Sequence, residues 1–317
     1  MSGLLAAVTQ TGFFADEAVR VALAVGTVVA IVAGAVGVFT VMRGQSFAGE
    51  ALGDLGATGG SGAFLVGVGP LWGFLAMGIA AAGVMELIGI QRPRGRDLAT
   101  GIVLGAGLGL AALFLYWDAN LHNTTGATIT ILFGSVFAIS SSTFPLVTVL
   151  GVAALGIVLA LYRPLLLSTI SAEMAAARGV PVRLVGAAYL LALAVTVALA
   201  AVTIGAILST ALLIGPAASA LRLTKRPGRA MLVAGAIGIV AVWLGILLAY
   251  ESYYWPPAGR GGWPVSFFVV TLIFLLYLIS GLPARVRARK QGSHRGNASR
   301  VDVSRRTGEP RIESAGS

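Results

Sequence analysis

RGQSFAGEALGDLGATGG, residues 43–60, sets two carboxylates in a run that otherwise reads as membrane. Glu50 and Asp54 stand four apart, so on a helix they share one face, about one turn from each other. An ionised carboxylate costs several kcal/mol in hydrocarbon unless it faces a partner or a water-filled cavity. No Lys or Arg lies between residues 45 and 69 to neutralise the pair, and two carboxylates repel unless a cation, a proton or a basic group sits between them. The pair is therefore a candidate lining for the path of a cation. The competing reading has residues 45–69 partly outside the membrane, with the carboxylates capping helices or facing water. Whether this stretch crosses decides the topology of everything that follows it.

The surrounding sequence restricts the class. Of 317 residues, 57% are hydrophobic and 11% charged, with a mean hydropathy of +0.91, far from the composition of a soluble globular domain. The chain reads as an all-α, polytopic integral membrane protein. Cysteine is absent, which excludes disulfides, thiolate metal clusters and a cysteine nucleophile. A metal site must then use oxygen, nitrogen or methionine sulfur. The net charge of +10 does not point to nucleic acid, because the basic residues lie between apolar spans and in the tail, where they orient a membrane protein.

Windows of about 20 apolar residues place spans near 18–42, 45–69, 70–91, 98–117, 143–162, 182–200, 202–222, 230–250 and 265–282. The second is the least apolar. Residues 123–139, NTTGATITILFGSVFAI, are too short and too rich in Gly and Thr for a span, and read as an interfacial or re-entrant helix. About nine transmembrane helices follow, within a range of eight to ten. With nine, Arg43, Arg92, Arg94, Arg96, Arg163, Arg178, Arg183, Arg222, Lys225, Arg226, Arg229 and the tail fall on one side, and only Arg20 and Arg260 on the other. The positive side is cytoplasmic, which puts the N-terminus outside and the C-terminus inside a plasma (inner) membrane.

The domain organisation read from this is an external N-terminal segment (1–17), a transmembrane domain (18–282) and a basic, disordered cytoplasmic tail (283–317). The N-terminus lacks the basic region of a secretory signal and is expected to be retained. The tail carries nine Lys/Arg in a Ser/Gly-rich context, too polar to fold alone and suited to touching anionic headgroups. Gly101, Gly105 and Gly109 recur every four residues, a spacing that lets helices approach closely in lipid. Gly69-Pro70 and Gly215-Pro216 read as a boundary and a kink.

Four further features carry candidate chemistry. Glu251, at the end of a late span, is a possible third member of the carboxylate pair. In LSTISAEMAAARGVPV, residues 167–182, Ser171 can N-cap a short helix, Glu173 suits its first turn, Gly179 can end it in a left-handed conformation and Pro181 forbids continuation. That helix, with Met174 and Arg178, has a shape suited to a partner's groove or to the bilayer surface. Asp118, Asn120 and His122 in WDANLHN form an external loop that could ligate metal, although the alternation fits a wet loop equally well. Glu86 is expected to reach the cytoplasmic interface beside Arg92–Arg96, and His294 in the tail is incidental. Neither lysine, Lys225 or Lys290, sits in a G-x-x-x-x-G-K-[ST] loop, so any ATP-driven step requires another polypeptide.

The order of RGQSFAGEALGDLGATGG, LFGSVFAIS, YRPLLLSTISAEMAAARGVPVRL and STALLIGPAASALRLTKRPGR, between about Val21 and Gly281, resembles the permease subunit of metal-ion ABC importers of the zinc/manganese type. The resemblance implies a homodimer paired with cytoplasmic ATP-binding subunits, fed by an external solute-binding protein, with translocation along the dimer interface. It implies no permanently bound cofactor and no enzymatic activity in this chain. It makes the helix from Ser171 to Gly179 the element that docks in the ATPase. Glu50 and Asp54 fall where the family tends to have an acidic residue and a histidine, and Glu251 is a looser match to a late acidic position. A carboxylate in place of the imidazole favours harder ions such as manganese or iron, while zinc also binds carboxylates. Manganese, zinc and iron thus remain candidate cargoes. Two rival readings are a proton-coupled secondary transporter, with Glu50 and Asp54 as its relay, and an ABC permease for a metal chelate or small organic solute.

Overall fold

A computed structural model describes residues 13–88, 96–121, 126–134, 136–252 and 262–281, and among them every regular element is helical. In chain order these are α1 (Glu17–Met42), α2 (Ser46–Leu65), α3 (Pro70–Ile88), α4 (Arg96–Leu121), α5 (Gly126–Phe133), α6 (Phe144–Ala160), α7 (Tyr162–Ile170), α8 (Ala172–Ala177), α9 (Val182–Ile204), α10 (Ala206–Leu223) and α11 (Pro227–Ser252), then α12 (Val265–Gly281). Among the described residues, six helices are long and apolar enough to cross a membrane: α1, Leu104–Leu121 of α4, Ser141–Ala160 around α6, α9, α10 and α11. α3 and α12 are apolar but shorter. α2 has 20 residues, and its glycines and two carboxylates dilute its hydropathy. Each span expected from the sequence falls on one of these helices. The tail from residue 283 lies outside the described residues.

Local signals explain several ends. Asp16 caps α1, accepting from the Ala18 amide at 2.9 Å, and Glu17 complements the positive first turn. Pro70 opens α3, where a missing amide hydrogen costs nothing. Pro216 lies inside α10, which continues through it, so the Gly215-Pro216 pair ends no helix. α7 is not anticipated by the apolar windows: α6 stops at Ala160, and a separate nine-residue helix begins at Tyr162 with Pro164 in its first turn.

The helices pack through small residues. Gly26, Gly34 and Gly238 bring α1 and α11 together in antiparallel fashion, facing Val242, Gly235 and Ala30 respectively. Gly59 of α2 and Gly73 of α3 meet so closely that a Cβ on either collides with the other's carbonyl oxygen. The Gly105 and Gly109 stripe behaves differently from its expectation. Neither has anything within 4 Å of an added Cβ, and α4 instead meets α2 through Gly107, beside Leu55 and Thr58. Spacing identifies a smooth face but not which way it is turned.

Contacts sort the helix ends into two groups. At one end, Arg43 after α1 reaches Ser168 on α7, Phe39 lies against Tyr162, Gly228 of α11 sits beside the Tyr162 hydroxyl and Arg222 of α10 stacks on Tyr277 of α12. At the other, Phe13 packs on Tyr250 and the Trp263 amide donates to Ser252 Oγ at 2.8 Å. The basic residues Arg163, Arg178, Arg183, Arg222, Lys225, Arg226 and Arg229 all belong to the first group. The eight-residue α5, about 12 Å long, is too short to span. It ends at Gly134 against Gly205, the residue between α9 and α10, and both glycines have positive φ (74° and 93°) with their backbones in contact.

Candidate functional site

α2 lies between α3, α4, α9 and α10. Its buried face is built from small residues: Gly49 rests against Leu213 of α10, and Gly53 sits beside Ser209 of α10 and Val197 of α9. Thr58 Oγ1 donates to the Gly107 carbonyl at 2.7 Å, fixing α4 to the same helix. The remaining face carries Phe47, Glu50 and Asp54. Phe47 and Glu50 are exposed and Asp54 is half-buried. The structure thus brings the two carboxylates onto one helix face, as their spacing requires, and leaves that face uncovered by the rest of this chain.

Glu251 does not join them. It is half-buried in the last turn of α11, at the end of the bundle where Phe13 and Trp263 sit, whereas Glu50 lies in the second turn of α2 near the Arg43 end. Among the described residues no three of His, Cys, Asp and Glu form a group able to hold a metal ion. The expected WDANLHN loop is also partly helix. α4 continues to Leu121, Asn120 donates to the Tyr116 carbonyl at 2.7 Å, and Asp118 is buried at 1% exposure. His122 lies outside the described residues. A cavity of about 480 Å³ at the Trp263 end, lined by Asp16, Phe133, Phe137 and Tyr250 among others, includes neither Glu50 nor Asp54.

The short helix of residues 171–179 forms as its caps dictate. Ser171 Oγ accepts from the Met174 amide at 3.2 Å, and Glu173 lies in the first turn. Gly179 takes φ +76°, and Val180 N–H returns to the Ala175 carbonyl at 3.0 Å, so the last carbonyls are satisfied before Pro181 starts the approach to α9. Ala175 is buried against the bundle, while Met174 is 52% exposed and Glu173 and Arg178 are exposed. The result is a two-turn knob at the basic end with an apolar tip.

One group was not singled out by sequence reasoning. Arg43, read there as an orienting charge, lies 5.2 Å over the ring of Tyr189 and donates to Ser168. Glu86 on α3 is half-buried, and Arg92 and Arg94 of the cluster it is expected to reach lie outside the described residues. The available signal was Tyr189 itself, a phenol in an otherwise apolar span.

Similarity to known proteins follows the same architecture. The model of the ABC 3 transport family matches residues 15–281. The manganese transport system membrane protein MntC of Halalkalibacterium halodurans is 30% identical over 225 residues, 71% of this chain and 76% of that protein. The manganese import system permease protein ScaB of Streptococcus pneumoniae is 30% identical over 242 residues, 76% of this chain and 84% of that protein. Among solved structures, PsaBC from Streptococcus pneumoniae in complex with Fab superposes with a TM-score of 0.70 at 24% identity, covering 88% of this chain and 94% of that one. A transporter assigned to the metal-chelate ABC type, in an inward-facing conformation, gives 0.68 at 17% identity, covering 83% and 85%. With a family match across the helical bundle and relatives that are themselves permeases, the chain belongs to the ABC 3 transport family of metal-ion ABC transporter permeases.

Proposed function

We propose that this chain is the membrane-spanning permease of an ATP-driven importer of a divalent transition metal, with manganese as the favoured cargo over zinc and iron. The observation that carries the reading is the carboxylate pair on the uncovered face of α2. A charged face cannot remain against lipid, and a second copy of the chain covering it brings four carboxylates together around one path. Oxygen donors suit manganese, and the relatives named above are described as manganese transporters. Two carboxylates per copy hold an ion without enclosing it, as conduction requires a site that can be left as well as reached.

In this reading α1, α2, α3, α4, α6, α9, α10, α11 and α12 cross the membrane and α5 dips into it from outside. The basic end is cytoplasmic, supported by the clustering of Arg and Lys there. The N-terminal segment is external and the basic tail cytoplasmic. α8 docks in a separate ATP-binding subunit, since this chain has no P-loop, and a solute-binding protein delivers the ion from outside. Glu50 and Asp54 bind the cargo in passing, and the chain does no covalent chemistry.

The test is elemental analysis of cells expressing the chain with its ATPase partner, comparing wild type with Glu50→Gln/Asp54→Asn at equal membrane abundance. One metal accumulating in wild type and falling to background in the double variant supports both the importer and its site. Accumulation that survives the double variant moves the path elsewhere, and no accumulation of any metal removes the importer reading.

A further inference from the structure

At the basic end, a polar cluster joins the start of α2 to the segment leading into α8. Tyr189 of α9 is fully buried, and its hydroxyl lies 2.7 Å from Thr40 Oγ1, also fully buried, on α1. Both hydroxyls reach the Val36 carbonyl, Thr40 at 3.0 Å and Tyr189 at 3.4 Å. Hydroxyls buried this deeply need such partners, and here they pin the phenol ring to α1. The Arg43 guanidinium lies over the pinned ring, and its Nη1 donates to Ser168 Oγ at 3.1 Å. The Ser168 hydroxyl donates in turn to the Leu165 carbonyl at 3.0 Å. Arg has donors only, so the polarity of this chain of bonds is fixed.

The positions at either end of that bond matter. Ser46 opens α2, with Arg43 in the three-residue turn before it, and Ser171 caps α8, with Ser168 in the last turn of α7 before that cap. The turn also carries Gln45, whose Oε1 is buried with no hydrogen-bond partner among the described residues. An orphaned buried acceptor is a cost that a shift of the turn can relieve, which gives this segment a reason to have a second arrangement.

We propose that Arg43 is a positioning residue that transmits motion of α8, through Ser168, to the start of α2 and thereby to Glu50 and Asp54. The link is direct: a displacement of α7 and α8 moves Ser168, Ser168 holds Arg43, and Arg43 precedes the carboxylate helix by less than one turn. This rests on α8 being the ATPase-docking element. Without that, the same bond is only a brace.

The absence of cysteine makes a reporter simple. Phe47→Cys places one thiol per chain on the face of α2 that carries Glu50, exposed in the single chain and facing the path between the two copies in the proposed assembly. Its maleimide labelling rate is measured in nanodiscs, in complex with the ATP-binding subunit, with and without a non-hydrolysable ATP analogue. The reporter chain is expected to change rate by at least about fivefold with nucleotide. Ser168→Ala and Arg43→Gln are expected to remove most of that response with nucleotide binding unchanged, and Ser168→Thr, which keeps the hydroxyl, to retain it. A full response in both Ser168→Ala and Arg43→Gln overturns the proposal, as does a lost response accompanied by equal loss of nucleotide binding or complex formation. A reporter chain that shows no nucleotide response at all removes the docking assignment of α8, and the link with it. Because Ser168→Ala leaves Arg43 stacked on Tyr189, the comparison holds even where Arg43→Gln folds poorly.

Discussion

Gly205→Ala is the sharpest test of the packing. Gly205 separates α9 from α10 at φ +93° and ψ 155°, a region that is essentially glycine-only and costs another residue about 1–3 kcal/mol. Its added Cβ also collides with the Leu132 carbonyl and lies 2.5 Å from the Phe133 backbone. Backbone cannot rotate aside as a side chain can, and overpacking of this kind costs about 1–3 kcal/mol more. The substitution is therefore expected to destabilise the protein by about 2–6 kcal/mol. Gly156→Ala on α6 is the matched control: nothing lies within 4 Å of its Cβ, and removing a mid-helix glycine stabilises by about 0.5–1 kcal/mol. Unfolding titrated with SDS in mixed micelles measures both. The elbow also sets Ser209 and Leu213 of α10 against Gly53 and Gly49 of α2, so metal accumulation per folded molecule is expected to fall as well. A Gly205→Ala protein as stable as wild type refutes the close-contact account of this elbow.

Three further outcomes are expected. Gly73→Leu forces α3 away from Gly59 of α2 and lowers membrane abundance through a loss of about 3 kcal/mol or more, whereas Gly83→Leu, with nothing within 4 Å, leaves it unchanged. Ser171→Ala deletes the cap of α8 at about 1 kcal/mol, read as roughly fivefold faster amide exchange across residues 172–177, and equal exchange refutes the capping role. Glu251→Gln leaves metal accumulation at the wild-type level while Asp54→Asn lowers it, because Glu251 lies in the last turn of α11 at the Trp263 end and does not join the α2 carboxylates. Equal loss in both variants places Glu251 on the path.

The helical spans and the cap signals of α8 were legible in the sequence because both are local quantities. Partition into hydrocarbon is nearly additive over about 20 residues, and a cap needs only Ser171, Glu173, Gly179 and their own backbone. The pairing of Glu50 with Asp54 on one face follows from helical periodicity alone. Rotation about each helix axis is another matter. Helices apolar on every side carry no stripe that says which face turns inward, so only the packed structure decided that Gly107 rather than Gly105 or Gly109 meets α2. The same holds for Glu251, whose separation from the pair depends on how α11 is stacked against α1, and for α7, a separate helix that starts where the 143–162 window ends. The bond from Arg43 to Ser168 joins residues 125 positions apart. Sequence determined the long apolar helices, the cap signals of α8 and the residue types they carry, since those rest on nearest-neighbour energetics. Tertiary packing decided which of those residues meet, because in a bundle of smooth apolar helices that is set by interlocking backbones and a few buried polar contacts.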